Sequence, residues 1–297
     1  MKPSLSVSEQ IALLASRGLI VDDVPVARDF LRVNNYYRFS GYARPFQNAP
    51  HLGDDSFRLG TTFHQVSDVY DADDRLRSSL VQSLTRVELM LRTHFARVVA
   101  DDHGPYRSFL EQRFYTDVGP GEPTAAGCVR DVLRSRDRHI LRHRDLDAGA
   151  AGLARLPVWS AVEAWSFGTL SKAIERGAGG TLADDVAASA GVAKAGFASR
   201  IRTLVYLRNR CAHHGRLWHH SVLDAGPTPN NVRSKAKRSV GQFEPRSVID
   251  VVASLDDFVV RSGAGSAVLG AIVERHAQGT LFWDGLVRPQ GSRDHTA

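Results

Sequence analysis

Six consecutive residues, Arg208-Asn209-Arg210-Cys211-Ala212-His213, bring together side chains that can hold and cut a phosphodiester. On a helix, Asn209 and His213 lie four residues apart, about 40° around the axis, and share a face. Arg208 precedes His213 by five residues, about 140° around, so only its long stem can carry the guanidinium toward the imidazole. An imidazole with an unperturbed pKa near ~6.5 serves as general base or acid at neutral pH. A planar guanidinium clamps phosphate oxygens through two parallel hydrogen bonds. RNA supplies its own nucleophile in the 2′-hydroxyl, so such a site needs no metal, no cofactor and no serine. Positioned acid–base help is worth about 10²- to 10⁴-fold in rate, and charge stabilisation by the arginine adds to it. Arg and His at this spacing also recur by chance at solvated helix ends, where the dipole favours cations. The chemistry therefore has to be judged with its surroundings.

The helix that must carry this motif spans about 194–217, with Phe197, Ile201, Leu204, Val205 and Leu207 as its buried face. Apolar residues recur at helical spacing along almost the whole chain, and no stretch alternates like a strand, so the fold is expected to be all-α. Helices are predicted over 6–17, ending at Gly18, and over 24–34. Thr62 can cap a long helix running through Leu76, Leu84 and Leu91 to Gly104-Pro105, about 60 Å in length. Residues 106–114 read as helical, 117–124 as a Gly/Pro loop and 126–145 as a strongly basic helix, after which Gly149–Gly152 interrupts. Pro157 opens a helix that breaks at Phe167-Gly168 and resumes through Ile174. Two closing helices are expected near 247–261 and 265–277. The segments so delimited are 1–60, a core of 61–224, a basic flexible loop of 225–246, C-terminal helices of 247–287 and a disordered tail of 288–297.

Other residues offer binding chemistry beside an ordinary structural reading. Arg130, Arg134, Arg138 and Arg142 recur every four residues and would form a cationic stripe able to track a phosphate backbone, or a solvated face partly neutralised by Asp131 and Asp137. Arg233, Lys235, Lys237 and Arg238 could form an RNA-contacting arm. Tyr36, Tyr37 and Tyr42 could stack unpaired bases with Arg38 on a phosphate, whereas Phe39 and Phe46 read as core. His214 and Arg216 could hold RNA or simply sit exposed at the helix end. His213, His214, His219 and His220 lack the cysteines or spaced carboxylates of a zinc site, so no metal is expected. Trp159 and Trp165 read as packing residues, and Glu88 and Glu163 as buried ion-pair partners of Arg92 or another arginine.

Composition sets the outer bounds. The 297 residues carry a net charge of +6, which favours an anionic partner, most simply nucleic acid. Two cysteines make no disulfide framework, so a reducing, cytoplasmic setting is the economical expectation. The N-terminal residues read as an amphipathic helix and not a secretory signal, and no run of about 18 apolar residues predicts a membrane span.

The string Leu207-Arg208-Asn209-Arg210-Cys211-Ala212-His213-His214-Gly215-Arg216-Leu217-Trp218 resembles the signature of the Abi-like abortive-infection proteins within the HEPN superfamily. Three further segments agree, in the family's order. They are Asn35-Tyr36-Tyr37-Arg38-Phe39-Ser40-Gly41-Tyr42; Thr61-Thr62-Phe63 with Val69-Tyr70-Asp71-Ala72-Asp73-Asp74-Arg75-Leu76-Arg77 and Val87–Arg92; and Leu156-Pro157-Val158-Trp159 with Glu163 and Ser166–Leu170. The resemblance implies a HEPN-type helical bundle with additional N- and C-terminal helices. It implies a metal-independent endoribonuclease used against phage, active as a homodimer that pairs two motifs and leaves 2′,3′-cyclic phosphate ends. By that resemblance Arg208 would bind the scissile phosphate, His213 would move the proton and Asn209 would orient one of them. A small structured noncoding RNA is a further partner that the resemblance allows. The alternatives are a noncoding-RNA-binding defence protein with conditional or no cleavage, and a role connected with nucleotidyl transfer, for which the chain shows no paired carboxylates of its own.

Overall fold

The computed structural model describes residues 4–145, 151–222 and 226–289. Its described residues form fourteen α-helices and one small antiparallel hairpin, so the all-α expectation holds. Ser6 opens α1 (Val7–Ser16) through a capping box with Glu9, and Asp23 caps α2 (Val24–Val33). Asn35 caps α3 (Tyr36–Ala43), which leads into the hairpin of β1 (Gln47–Ala49) and β2 (Asp54–Phe57). The hairpin escapes a search for alternation because its two strands hold only seven residues between them.

The frame of the molecule is α4 (Phe63–His103), opened by a Thr62/Gln65 capping box and closed at Gly104 with φ +82°. Along it Val66, Val69, Asp73, Leu76, Leu80, Leu84, Val87 and Leu91 form one buried stripe at three- and four-residue spacing, apolar except at Asp73. Against this stripe pack α3, α7 (Val158–Ala164), α9 (Leu182–Ser189), α10 (Phe197–Ala212) and α12 (Val248–Ser262). Between α7 and α9 lies α8 (Phe167–Arg176), capped by Ser166, so the break expected at Phe167-Gly168 falls one to two residues earlier. One apolar core takes residues from both ends of the chain, from Ile11 to Val287.

Several expectations are corrected. Residues 106–114 are two 3₁₀ turns, Ser108–Leu110 and Gln112–Phe114, and not one helix. The basic stretch 126–145 is divided into α5 (Thr124–Arg134) and the short α6 (Arg138–Leu141). Ser135 is extended, and its hydroxyl takes the Asp137 backbone N–H at 3.1 Å, a local bond that competes with helix continuation. Arg130, Arg134, Arg138 and Arg142 therefore share no single helical stripe. The loop expected at 225–246 contains α11 (Asn230–Val240), because Val232, Ala236 and Val240 recur every four residues and are buried beneath its basic face. Arg233, expected in an RNA-contacting arm, instead donates to both carboxylate oxygens of Asp250 at 3.1 and 3.0 Å. After α13 (Val268–Arg275) comes a helix the sequence reading did not include, α14 (Leu281–Val287). Parts of the 149–152 interruption and of the 288–297 tail lie outside the described residues.

The tryptophans separate. Trp165 is buried, but Trp159 is 53% exposed, because Val158, Ala161 and Val162 take the inner face of α7. Trp218 is fully buried and crosses α14 at Gly285, where an added Cβ would stand 2.1 Å from the indole Nε1. Gly270 in α13 has nothing within 4 Å of its Cβ position and is exposed. Gly285→Ala should thus destabilise by about 1–3 kcal/mol, whereas Gly270→Ala should stabilise by about 0.4–1 kcal/mol. Urea unfolding of the two variants checks both signs.

Candidate active site at the end of α10

Arg208, Asn209 and His213 all stand at the C-terminal end of α10, but the helix stops earlier than 217. His213 is its C-cap, with its backbone N–H still bonded to the Asn209 carbonyl at 2.9 Å. His214 adopts φ +55°, and the Gly215 N–H turns back to the Arg210 carbonyl. A Cβ on Gly215 would stand 3.2 Å from the Arg210 carbonyl and 3.3 Å from its guanidinium, so a larger residue would press on Arg210 by a few tenths of an ångström. The Asn209 and His213 side chains are exposed to solvent at this reversal.

The segment after the reversal is fixed by a buried carboxylate. Asp73 of α4 accepts from the backbone N–H groups of Leu217 and Trp218 at 3.1 and 2.9 Å, from Tyr42 at 2.6 Å and from Arg77 at 2.5 Å. Burial pushes the Asp73 carboxyl above its usual range, while those four donors all favour the ionised form and oppose the shift. Arg216 donates to the Gly41 carbonyl and lies over the Tyr42 ring. The same network thus ties α3, α4 and the residues following His213 together. Tyr42 is spent in it and cannot stack a base. Arg216 is also committed there, so its place as an exposed RNA contact is not supported. Arg38 is bonded through Nε to the Tyr70 hydroxyl at 3.0 Å, and Tyr70 in turn donates to Asn34 at 2.6 Å. Phe39 and Phe46 are buried, as expected of core residues.

The Arg208 guanidinium is turned toward α4 and not toward the imidazole. Its Nε and Nη2 donate to one oxygen of Glu88 at 3.2 and 3.0 Å, and its Nη1 donates to Asn209 Oδ1 at 3.0 Å. No hydrogen bond joins Arg208 to His213 among the described residues. The other Glu88 oxygen takes Arg92, which also donates to the Val162 and Trp165 carbonyls at the α7–α8 break. Glu88 therefore serves two arginines, as the sequence suggested, while Glu163 is exposed and is not a buried ion-pair partner. Arg208 keeps 28% of its side-chain surface against 13% for Glu88, so the arginine is the more exposed member of the pair.

The neighbouring groups have settled roles. Burial pushes the Cys211 thiol up to about 12, so the cysteine inside the motif carries no thiolate at neutral pH. Burial, reinforced by nearby arginines, lowers both His219 and His220 to about 4. His220 Nε2 is 2.8 Å from the Tyr206 hydroxyl, and the two rings stack. Of the four histidines, only His213 and His214 are exposed. Arg130 of the supposed stripe is already paired with Glu122 and Asp131. Asp73 and the Tyr206–His220 pair were missed as parts of the site's support.

No curated protein and no solved structure matches the chain at a significant level. The family model of the Abi-like proteins matches residues 29–219, from the end of α2 through α3, α4 and α10 to His219. That span contains the Asp73 network, Glu88 and the whole Arg208–His213 segment, and it covers well over half of the chain; the protein belongs to the Abi-like protein family.

Proposed function

We propose that this protein is a metal-independent HEPN-type endoribonuclease, used as a toxin or phage-defence effector in abortive infection. The observation that carries the reading is the arrangement at the end of α10. A partly exposed arginine is held in place by Glu88 and Asn209, and an exposed histidine caps the same helix. Arg208 meets the scissile phosphate. The His213 imidazole takes the proton from the 2′-hydroxyl, the 2′-oxygen bonds to phosphorus, and the bond from phosphorus to the 5′-oxygen breaks. The leaving 5′-oxygen needs a proton in the same event, and a single imidazole acting as base cannot also deliver it. A second copy of the motif supplies that acid, which is why the active form is a homodimer with the two α10 ends facing each other. The products are a 2′,3′-cyclic phosphate and a 5′-hydroxyl. Abi-like family membership supports the defence role, and the positive net charge supports an RNA substrate.

Purified protein should cleave RNA in the presence of EDTA and sediment as a dimer. Arg208→Ala and His213→Ala should each reduce cleavage by at least about 10²-fold while circular dichroism and sedimentation stay unchanged. Undiminished cleavage by both variants would remove the proposal. A discrete RNA that co-purifies with a protein unable to cut any RNA would favour a binding protein instead.

Glu88 gives a second test, because it shares its charge with Arg208. Glu88→Gln should slow cleavage by up to about 10²-fold through loss of orientation. In a His213→Ala background the same change should tighten RNA binding by up to about fivefold, since phosphate no longer competes with a carboxylate. Filter binding and single-turnover cleavage separate the two effects. Weaker binding together with slower cleavage would mean that Glu88 only supports the fold.

A further inference from the structure

A cleft of about 740 Å³ opens between α1, α3 and the hairpin, away from the Arg208–His213 segment in sequence. That is a common size for small-molecule sites. Tyr36 and Tyr37 of α3 line it, with Arg17 from the end of α1 and Arg44 from the end of α3. Tyr37 is 85% exposed and makes no ring pair among the described residues, so packing does not account for it. Arg44 is exposed and makes only a long bond, 3.4 Å, to the Pro50 carbonyl. Arg17 is shared with Asp55 at 3.3 Å, the one carboxylate of the lining.

Two amides stand in the wall of the cleft. Gln10 donates its NH₂ to the Leu5 carbonyl and Gln47 donates its NH₂ to the Asp55 carbonyl, each at 2.9 Å. A carbonyl can only accept, so both amide orientations are fixed and both Oε1 atoms are left as acceptors. Each Oε1 is shielded from solvent and has no donor among the described residues. Shielded acceptors without donors are costly. Both lie behind the cleft wall, so a ligand is met by the exposed residues: a flat face suits Tyr37 and an anionic end suits Arg44.

We propose that the cleft between α1, α3 and the hairpin is a nucleotide-binding site. A base stacks on Tyr37 beside Tyr36, and its phosphate meets Arg44. The nucleotide is either free or one unit of a single strand of RNA. The floor of the cleft includes Gly41, whose carbonyl holds Arg216, so an occupant touches the same backbone that anchors the segment after His213. The assignment extends the RNA reading above and does not require cleavage.

Two probes are titrated into the full chain: a labelled 2′-O-methyl RNA of about ten nucleotides, which has no free 2′-hydroxyl to attack, and the four ribonucleoside 5′-monophosphates. Tyr37→Ala should weaken binding by roughly 5- to 150-fold, the span for loss of one stacked base. Tyr37→Phe should restore it, Arg44→Glu should weaken it, and Trp159→Ala, an exposed aromatic elsewhere, should leave it unchanged. Loss confined to the RNA probe assigns the site to a strand, and loss of both probes assigns it to the free nucleotide unit. If the parent binds neither probe, or if Tyr37→Ala and Arg44→Glu bind both as the parent does, the proposal is overturned. Because the readout is binding, a protein that binds here but never cuts would refute the nuclease reading and leave this one standing.

Discussion

Asp73 is the constraint on which the arrangement rests. A carboxylate with no solvent exposure is stable only if its charge and lone pairs are answered, and here four donors converge on it from three parts of the chain. Tyr42 brings α3, Arg77 brings the next turn of α4, and two backbone N–H groups bring the residues that follow α10. Removing any one leaves a buried charge underpaired, so the geometry is held by mutual need and not by shape alone. The end of α10 is therefore placed against α4, where Glu88 can reach Arg208.

The two faces of this arrangement divide the labour. On the inner face, Arg77, Arg216, Tyr42 and Cys211 are buried or committed, and their polar groups serve packing. On the outer face, Asn209 and His213 are exposed, with Arg208 partly so. The run Arg-Asn-Arg-Cys-Ala-His thus alternates between buried and exposed side chains within two helical turns. Arg208 and Arg210 show the difference, since one faces Glu88 and the other folds back onto the Arg216 carbonyl.

Much of this was legible in the residues, and the failures have physical causes. The Thr62/Gln65 cap and the apolar stripe of α4 are local signals, and they located the longest element to within a residue. The break at Ser135 was hidden because a basic helix pattern continued across it, while a single serine hydroxyl redirected the backbone. Helix α11 was hidden in the opposite way, its three small apolar residues outnumbered by cations. Asp73 did leave a signal. It falls on the three- and four-residue spacing of Val69, Leu76 and Leu80, where a carboxylate must be buried, yet the neighbouring Asp71 and Asp74 made the segment look solvated. The direction taken by Arg208 was not legible, because it depends on Glu88, 120 residues away in the chain.

The bond between Glu88 and Arg208 also means that the cation at this site is never idle. Any anion that approaches must displace a carboxylate already in place, and a lone phosphate or chloride gains little by the exchange. A polyanion that touches several points at once recovers the loss through its other contacts. The pairing therefore sets a threshold: an anion is held here only if its contacts outweigh the carboxylate it displaces.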